Sequence, residues 1–273
     1  MNAPALLRQF GLRPDKRLGQ NFLVDEAAIQ KIVDIAEITP EDTVLEIGPG
    51  TGGLTARLAQ QAHQVVAVEL DGRLMPLLEQ ALSPHPNVRL VQGDILALDP
   101  ARLVEAPGYL VVANIPYYIT SALIRHLLEA RRQPRRLVLT VQREVAERIC
   151  ASPGEMSILA LSVQVYGQPQ VRARIPAGAF YPSPKVDSAV VRVDLYSQPA
   201  IPASLLEAFF RLAKAGFSQK RKTLGNALAA SLAWSKDQAQ ALLLAAGIDP
   251  RRRAETVSLE EWEALAQRYV EKL

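Results

Sequence analysis

Cysteine is almost missing from this chain. Cys150 stands alone among 273 residues, which excludes an intrachain disulfide and a cysteine-ligated zinc site. Aromatic residues amount to 5%, so an aliphatic core is expected. No run of about 18 apolar residues occurs, and no membrane span is expected. The N-terminal stretch lacks an apolar segment closed by small residues, the mark of a secretory signal. A reducing cytoplasm is the expected setting. His63, His85 and His126 are isolated, and no side-chain spacing matches a metal site. The histidines read as surface or packing residues and Cys150 as a core residue.

What is present is an ordinary globular composition, 49% hydrophobic and 22% charged. The length suits one large domain and a small one. The net charge of +3 is unevenly placed: residues 1–195 carry 20 basic and 20 acidic side chains, residues 196–273 carry 11 and 8. Basic clusters stand at Arg13/Lys16/Arg17, Arg131/Arg132/Arg135/Arg136, Lys220/Arg221/Lys222 and Arg251/Arg252/Arg253. Such clusters are either solvated helix ends or phosphate contacts on a polyanion.

Strand and helix signals alternate. Apolar residues at helical spacing predict a helix over Asp25–Ile38, with Asp25 as N-cap. Aliphatic strands are expected at Thr43–Ile47, Gln64–Glu69, Val88–Gln92, Tyr109–Ala113 and Arg136–Gln142. Helices are expected between them, near Leu54–Gln61, Arg73–Leu82 and Ser121–Ala130. This pattern belongs to a parallel sheet covered on both faces. Ser157–Tyr166 and Val186–Leu195 also read as strands, at least one of them antiparallel, around a Pro-rich loop at Pro176–Pro184. A Pro/Ser break at Ser197–Ser204 precedes an Ala- and Leu-rich helical stretch.

Glu46-Ile-Gly48-Pro-Gly50-Thr-Gly52-Gly53 lies between a strand and a helix. Glycines there let backbone N–H groups approach a ligand. Glu69 ends the next strand, where a carboxylate can accept ribose hydroxyls. These features allow NAD or S-adenosylmethionine. Three others favour S-adenosylmethionine. Glu46 supplies an acidic surround that suits an α-amino group and repels a pyrophosphate. Asp94 can accept the adenine amino group. Asn114-Ile115-Pro116-Tyr117 ends the fourth strand, at the sheet edge where open α/β folds bind ligands.

Asn114–Tyr117 also suits methylation of a planar amine, whose lone pair is delocalised into the ring. The Asn114 side-chain oxygen and the Ile115 carbonyl can accept its two N–H groups. Pro116 fixes its own φ and biases Ile115 to an extended shape. Tyr117 offers a ring for the base, and Phe180, in Phe180-Tyr-Pro-Ser-Pro-Lys185, offers a second. The leader Arg17-Leu-Gly-Gln-Asn21-Phe-Leu23 is a candidate cover for the cofactor. No metal is required.

The motifs Gln20–Leu23, Glu46–Gly52, Val68-Glu69, Gly93-Asp94, Asn114–Tyr117 and Phe180–Lys185 together resemble the rRNA adenine N6-dimethyltransferase family over nearly the whole chain. Pro184-Lys-Val-Asp-Ser188 carries Asp187 where the Erm branch, which acts on 23S rRNA, usually has Asn. Phe217–Leu224 and Arg253–Glu255 resemble the C-terminal domain of the 16S branch. Ile115 and Tyr118 depart from the commoner Leu and smaller polar residue. The resemblance implies four methyl transfers, two to each of two adjacent adenosines near the 3′ end of 16S rRNA in the immature small subunit. It places Asn21, Leu23, Gly48, Glu69, Asp94 and Asn114 on S-adenosylmethionine, with Gly50 in the same turn, and Asn114, Tyr117 and Phe180 on the target base.

The expected architecture is therefore an α/β class I S-adenosylmethionine-dependent methyltransferase domain, Rossmann-like, over residues 1–198. A small α-helical RNA-recognition domain follows over 199–273, with Lys220, Arg221, Lys222, Arg251, Arg252 and Arg253 as RNA contacts. The partner is 16S rRNA within a small-subunit precursor, met by a monomer with no membrane association. Two alternatives remain: an assembly factor acting mainly by RNA binding, and an Erm-type 23S enzyme.

Overall fold

The computed structural model describes residues 3–116 and 119–272. By contacts the chain divides into two compact units. The first takes in the chain up to Ala146 together with Pro169–Leu195; the second takes in Glu147–Gln168 and the chain from Tyr196 onward. A single cut at 198/199 thus differs from the contact division chiefly over residues 147–168, which group with the C-terminal helices.

The first unit begins with α1 (Ala3–Gln9) and the short strand β1 (Phe22–Leu23). It continues through α2 (Glu26–Ala36), β2 (Thr43–Ile47), α3 (Gly53–Ala59), β3 (Gln64–Glu69), α4 (Met75–Leu82), β4 (Val88–Gln92), α5 (Pro100–Leu103), β5 (Leu110–Asn114), α6 (Thr120–Leu128) and β6 (Arg136–Gln142). Asp25 caps α2 as expected, its Oδ1 accepting from the Ala28 amide at 2.7 Å. The helix stops before Pro40, at Glu37, which takes a left-handed φ of 49°.

Next come α7 (Arg143–Ile149), α8 (Ile158–Gln164), β7 (Gly167–Ile175), β8 (Phe180–Tyr181) and β9 (Ser188–Leu195). The large sheet runs β4-β3-β2-β5-β6-β9-β7. From β4 to β6 all neighbours are parallel, and β9 runs antiparallel to β6 with Leu139 opposite Val191. Every residue of β2 is buried, which explains its unbroken TVLEI composition. Strand order reverses between β2 and β5: the chain leaves β2 toward β3 and β4, then returns to β5. Crevices at such switch points, outside the carboxyl ends of the strands, hold ligands.

Ser157–Tyr166, expected as a strand, is mostly the helix α8. Ser157 caps it, Oγ accepting from the Ala160 amide at 3.1 Å. The actual neighbouring strand is β7, a largely exposed edge strand that begins Gly-Gln-Pro-Gln.

The second unit is helical after α8, with α9 (Leu206–Phe217), α10 (Leu224–Leu232), α11 (Lys236–Ala245) and α12 (Leu259–Val270). Trp262 is fully buried and stacks on Phe217 at 5.9 Å between ring centroids. A Cβ on Gly216 would stand 2.6 Å from the Trp262 ring, so glycine is required for α9 to approach α12. Capping boxes start α11 (Ser235 with Gln238) and α12 (Ser258 with Glu261). Among the described residues no helix is long and apolar enough to cross a membrane.

Candidate active site and cofactor cavity

The turn after β2 is built on positive φ angles at Gly48, Gly50 and Gly52, of 74°, 60° and 81°. Gly50 meets two demands at once. A Cβ there would stand 2.8 Å from the Phe22 ring, which the leader lays against the turn. The Gly50 amide donates to Glu69 Oε2 at 3.3 Å, and the Asp71 amide donates to Oε1 at 2.8 Å. Burial raises the Glu69 pKa above its ordinary value, with those two amides opposing.

Glu46, in β2, is 1% exposed, and neither of its carboxylate oxygens has a hydrogen-bond partner among the described residues. Burial pushes its pKa up to about 8 and the Glu69 charge adds to this, while the nearby Thr55 hydroxyl, outside hydrogen-bond geometry, opposes it. An unpaired buried carboxyl lining a cavity is a costly arrangement that a cationic ligand relieves.

A polar clasp ties the leader down. Gln20 Nε2 donates to Asp71 Oδ2 at 2.8 Å, and the Arg73 guanidinium holds the same carboxylate through Nε at 2.8 Å and Nη2 at 2.6 Å. Arg73 first, then Gln20, brings the Asp71 pKa to about 2, against the effect of burial. Asn114, at the carboxyl end of β5, donates from Nδ2 to the Asn21 carbonyl at 3.0 Å. That bond fixes the amide, leaving Oδ1 as its acceptor. The next peptide is anchored too, with the Ile115 amide donating to the Thr140 carbonyl at 3.2 Å.

These pieces enclose a cavity of about 270 Å³. Asn21, Leu23, Gly48, Gly50, Glu69, Asp94 and Asn114 all line it, as do Ile115, Pro116 and Glu46. Asp94 is exposed, and its Oδ1 accepts from the Leu96 amide at 2.9 Å. Tyr117, the expected stacking ring, and its neighbour Tyr118 lie outside the described residues. Gln20, from the Gln20–Leu23 motif, also lines the cavity, as do Leu70, Ile95 and Leu96, which carried no motif signal. The Asp71–Arg73 clasp was likewise hidden, because Asp71-Gly72 reads only as a turn.

The other expected site residues lie away from the cavity. Phe180 does not line the cavity; it is 4% exposed, within the apolar cluster that holds Leu23, Ile29 and Val190. In the β1–β8 pair Leu23 stands opposite Phe180 and Phe22 opposite Tyr181. The Arg251–Arg253 cluster pairs with nearby carboxylates, with Arg251 and Arg253 exposed. Arg251 pairs with Asp249 at 3.0 Å, Arg252 with Glu261 through Nη2 at 2.9 Å, and Arg253 with Glu255 at 3.6 Å. Lys220, Arg221 and Lys222 are exposed between α9 and α10 and form no ion pair among the described residues. Cys150 is only half-buried. His126 sits on the Leu98 carbonyl at 2.8 Å, a packing role.

The donor set can be tested against the two cofactors. A pyrophosphate would meet Glu46 and Glu69, two buried carboxyls. An ammonium and a ribose diol would meet acceptors. The cavity fits S-adenosylmethionine.

The family described as Ribosomal RNA adenine dimethylase matches residues 11–271. The chain belongs to that family. Among its relatives, a Ribosomal RNA small subunit methyltransferase A from Dehalococcoides mccartyi is 48% identical over 271 residues, covering 98% of this chain and 93% of the relative. The protein of the same name from Moorella thermoacetica is 46% identical, covering 96% and 95%. Among solved structures, the 23S rRNA methyltransferase ErmE is 31% identical with a TM-score of 0.73, covering 91% of this chain and 99% of that one. A dimethyladenosine transferase from Plasmodium falciparum gives 26% and 0.77, covering 92% and 98%. The fold is that of a class I methyltransferase, and this family member is an S-adenosylmethionine-dependent rRNA adenine dimethyltransferase.

Proposed function

We propose that this enzyme dimethylates two adjacent adenosines near the 3′ end of 16S rRNA in the immature small subunit, working in the cytoplasm as a monomer. The observation that carries the reaction class is the Asn114 amide, fixed by Asn21 at the mouth of a cavity holding an unpaired acid. Support for the 16S target comes from relatives named for the small subunit at 46–48% identity, against 31% for ErmE.

S-adenosylmethionine supplies a methyl group made electrophilic by its sulfonium. Glu46 is the acceptor for its ammonium, Glu69 for its ribose and Asp94 for its adenine. The protein's other task is to aim a poor nucleophile. In the first transfer Asn114 Oδ1 and the Ile115 carbonyl accept the two N6 hydrogens, which favours a tetrahedral nitrogen whose lone pair is withdrawn from the ring and faces the methyl group; in the second, one acceptor holds the single hydrogen that remains. Pro116 holds the Ile115 carbonyl in place. Tyr117, on its sequence position alone, supplies a ring for the base. The chain needs no strong base, because alkylated nitrogen sheds its proton readily. Positioning and fixed dipoles therefore carry the rate.

The test uses labelled S-adenosylmethionine with undermethylated small subunits, naked 16S rRNA and naked 23S rRNA, followed by mapping of the modified base. Label on adjacent adenosines near the 3′ end of 16S rRNA is expected. Label confined to 23S rRNA refutes the assignment.

A further inference from the structure

Asp71 is not part of the cavity wall, which takes Glu69 and Leu70 before it and Leu74 after it. Its side chain is 7% exposed, and its two oxygens serve different elements. Oδ1 serves its own turn, accepting from the Arg73 amide at 3.1 Å and from Arg73 Nε at 2.8 Å. Oδ2 accepts from Arg73 Nη2 and, from 51 residues earlier in the chain, from Gln20 Nε2. A residue that only capped its own turn would need Oδ1 alone.

Gln20 uses both ends of its side-chain amide. While Nε2 holds Asp71, Oε1 accepts from the Asp15 amide at 2.7 Å, and the Gln20 main-chain amide donates to the Asp15 carbonyl at 3.3 Å. Asp15–Gln20 is thereby a closed loop. Among the described residues, the Gln20–Asp71 bond is the hydrogen bond that ties this loop to the body of the fold, and Arg73 adds an ion pair to Asp15 at 3.8 Å. The loop supplies Leu18, Gly19 and Gln20 to the cavity wall. The part of the leader after it is held separately, by Asn114 on Asn21 and by the β1–β8 pairing. The leader wall thus has two fastenings, and the first is the Asp71 carboxylate. A hydrogen bond to a charged acceptor is among the stronger single fastenings available.

We propose that Asp71 is a positioning residue for the cofactor: through Gln20 it holds the Asp15–Gln20 loop against the cavity, and that bond sets how long S-adenosylmethionine and its demethylated product stay bound. The inference rests on S-adenosylmethionine occupying this cavity. Asp71 also reaches Glu69, since its amide donates to Glu69 Oε1 at 2.8 Å. One residue therefore fixes the proposed ribose acceptor through its main chain and the leader through its side chain, and a side-chain substitution removes only the second. Opening of the loop uncovers the cavity at Leu18–Gln20, so easier opening means faster exchange of product for fresh cofactor.

The experiment compares wild type with Gln20→Ala, Gln20→Glu, Asp71→Ala and the double variant Gln20→Ala/Asp71→Ala. Dissociation of S-adenosylhomocysteine is followed by stopped flow, and tryptic cleavage at the exposed Lys16 and Arg17 is followed on the ligand-free protein. Gln20→Ala and Asp71→Ala are each expected to speed dissociation and cleavage roughly tenfold, the scale of one hydrogen bond to a charged group. Gln20→Glu keeps the shape of the side chain but sets a carboxylate against Asp71, and should be at least as fast. The double variant should stay within about twofold of the faster single one, because both remove the same bond. Methyl transfer at saturating cofactor should fall far less than cofactor affinity. Unchanged dissociation in Gln20→Ala, wild-type behaviour in Gln20→Glu, or multiplied effects in the double variant overturns the proposal. Should Asp71→Ala fail to fold, the two Gln20 variants decide alone. A wild type that binds no S-adenosylhomocysteine would instead refute the underlying reading, so the two failures are distinguishable.

Discussion

Asn114 and Asn21, 93 residues apart in sequence, are joined by a 3.0 Å hydrogen bond from a side-chain amide to a backbone carbonyl. The bond serves two ends. It fastens the leader over the cavity, and it sets the orientation of the amide proposed to aim the substrate amine. Removing the side chain should therefore affect the chemical step far more than RNA capture. Asn114→Ala is expected to lower single-turnover methyl transfer about a hundredfold, equivalent to about 3 kcal/mol of transition-state stabilisation. RNA affinity by filter binding should stay within about twofold.

Glu69→Ala removes the proposed acceptor for the ribose and frees the Gly50 and Asp71 amides that now donate to it. Hydrogen bonds to a charged group contribute about 1.5–3 kcal/mol. Calorimetry should show cofactor affinity falling roughly tenfold to a hundredfold. In cells carrying only this variant, primer extension through 16S rRNA should find no dimethyl block. If those cells still assemble subunits normally, RNA binding rather than methylation serves assembly.

Glu46 makes the ligand-free protein sensitive to pH in an unusual direction. Its pKa rises from the ordinary value of 4.5 to about 8 on folding. The folded state then binds more protons than the unfolded state between those values, so stability falls as pH rises through that window. The cost is complete above about pH 8 and absent below about pH 4.5, and it is on the order of a few kcal/mol. Glu46→Gln should flatten this part of a thermal-denaturation pH series. It should also weaken cofactor binding, since the ammonium loses its counter-charge. A series that slopes equally in both proteins would remove Glu46 as the cause.

The two basic clusters of the second unit should separate under salt. Replacing Lys220, Arg221 and Lys222 with Gln should weaken RNA binding and reduce the slope of log affinity against log salt by at most about 2–3. Arg252→Ala should leave that slope in place and lower Tm instead, because Arg252 holds Glu261 at the start of α12. The pair is about one-third exposed, so the expected loss is only about 1 kcal/mol.

The parallel strands were legible because burial on both faces forces an aliphatic run, as in TVLEI and QVVAVE. The glycine turn, Glu69 and Asn114 were legible because each ends such a run. Misreadings arose where tertiary context overrode local pattern. Ile158–Gln164 is β-compatible in composition, but the Ser157 cap makes it helix. The edge strand Gly167–Ile175 buries little, so its polar residues hid it. Arg252 looked free because its carboxylate partner lies nine positions on.

The β1–β8 ribbon also dictates a timetable for synthesis. Phe22 is made long before its strand partner, Tyr181. Until the second partner has left the peptide tunnel, the lid segment has nothing to pair with, and closing so long a loop is entropically slow. A nascent chain halted before residue 180 should thus be unable to retain the methyl donor, although the central strands and the glycine turn have already been translated.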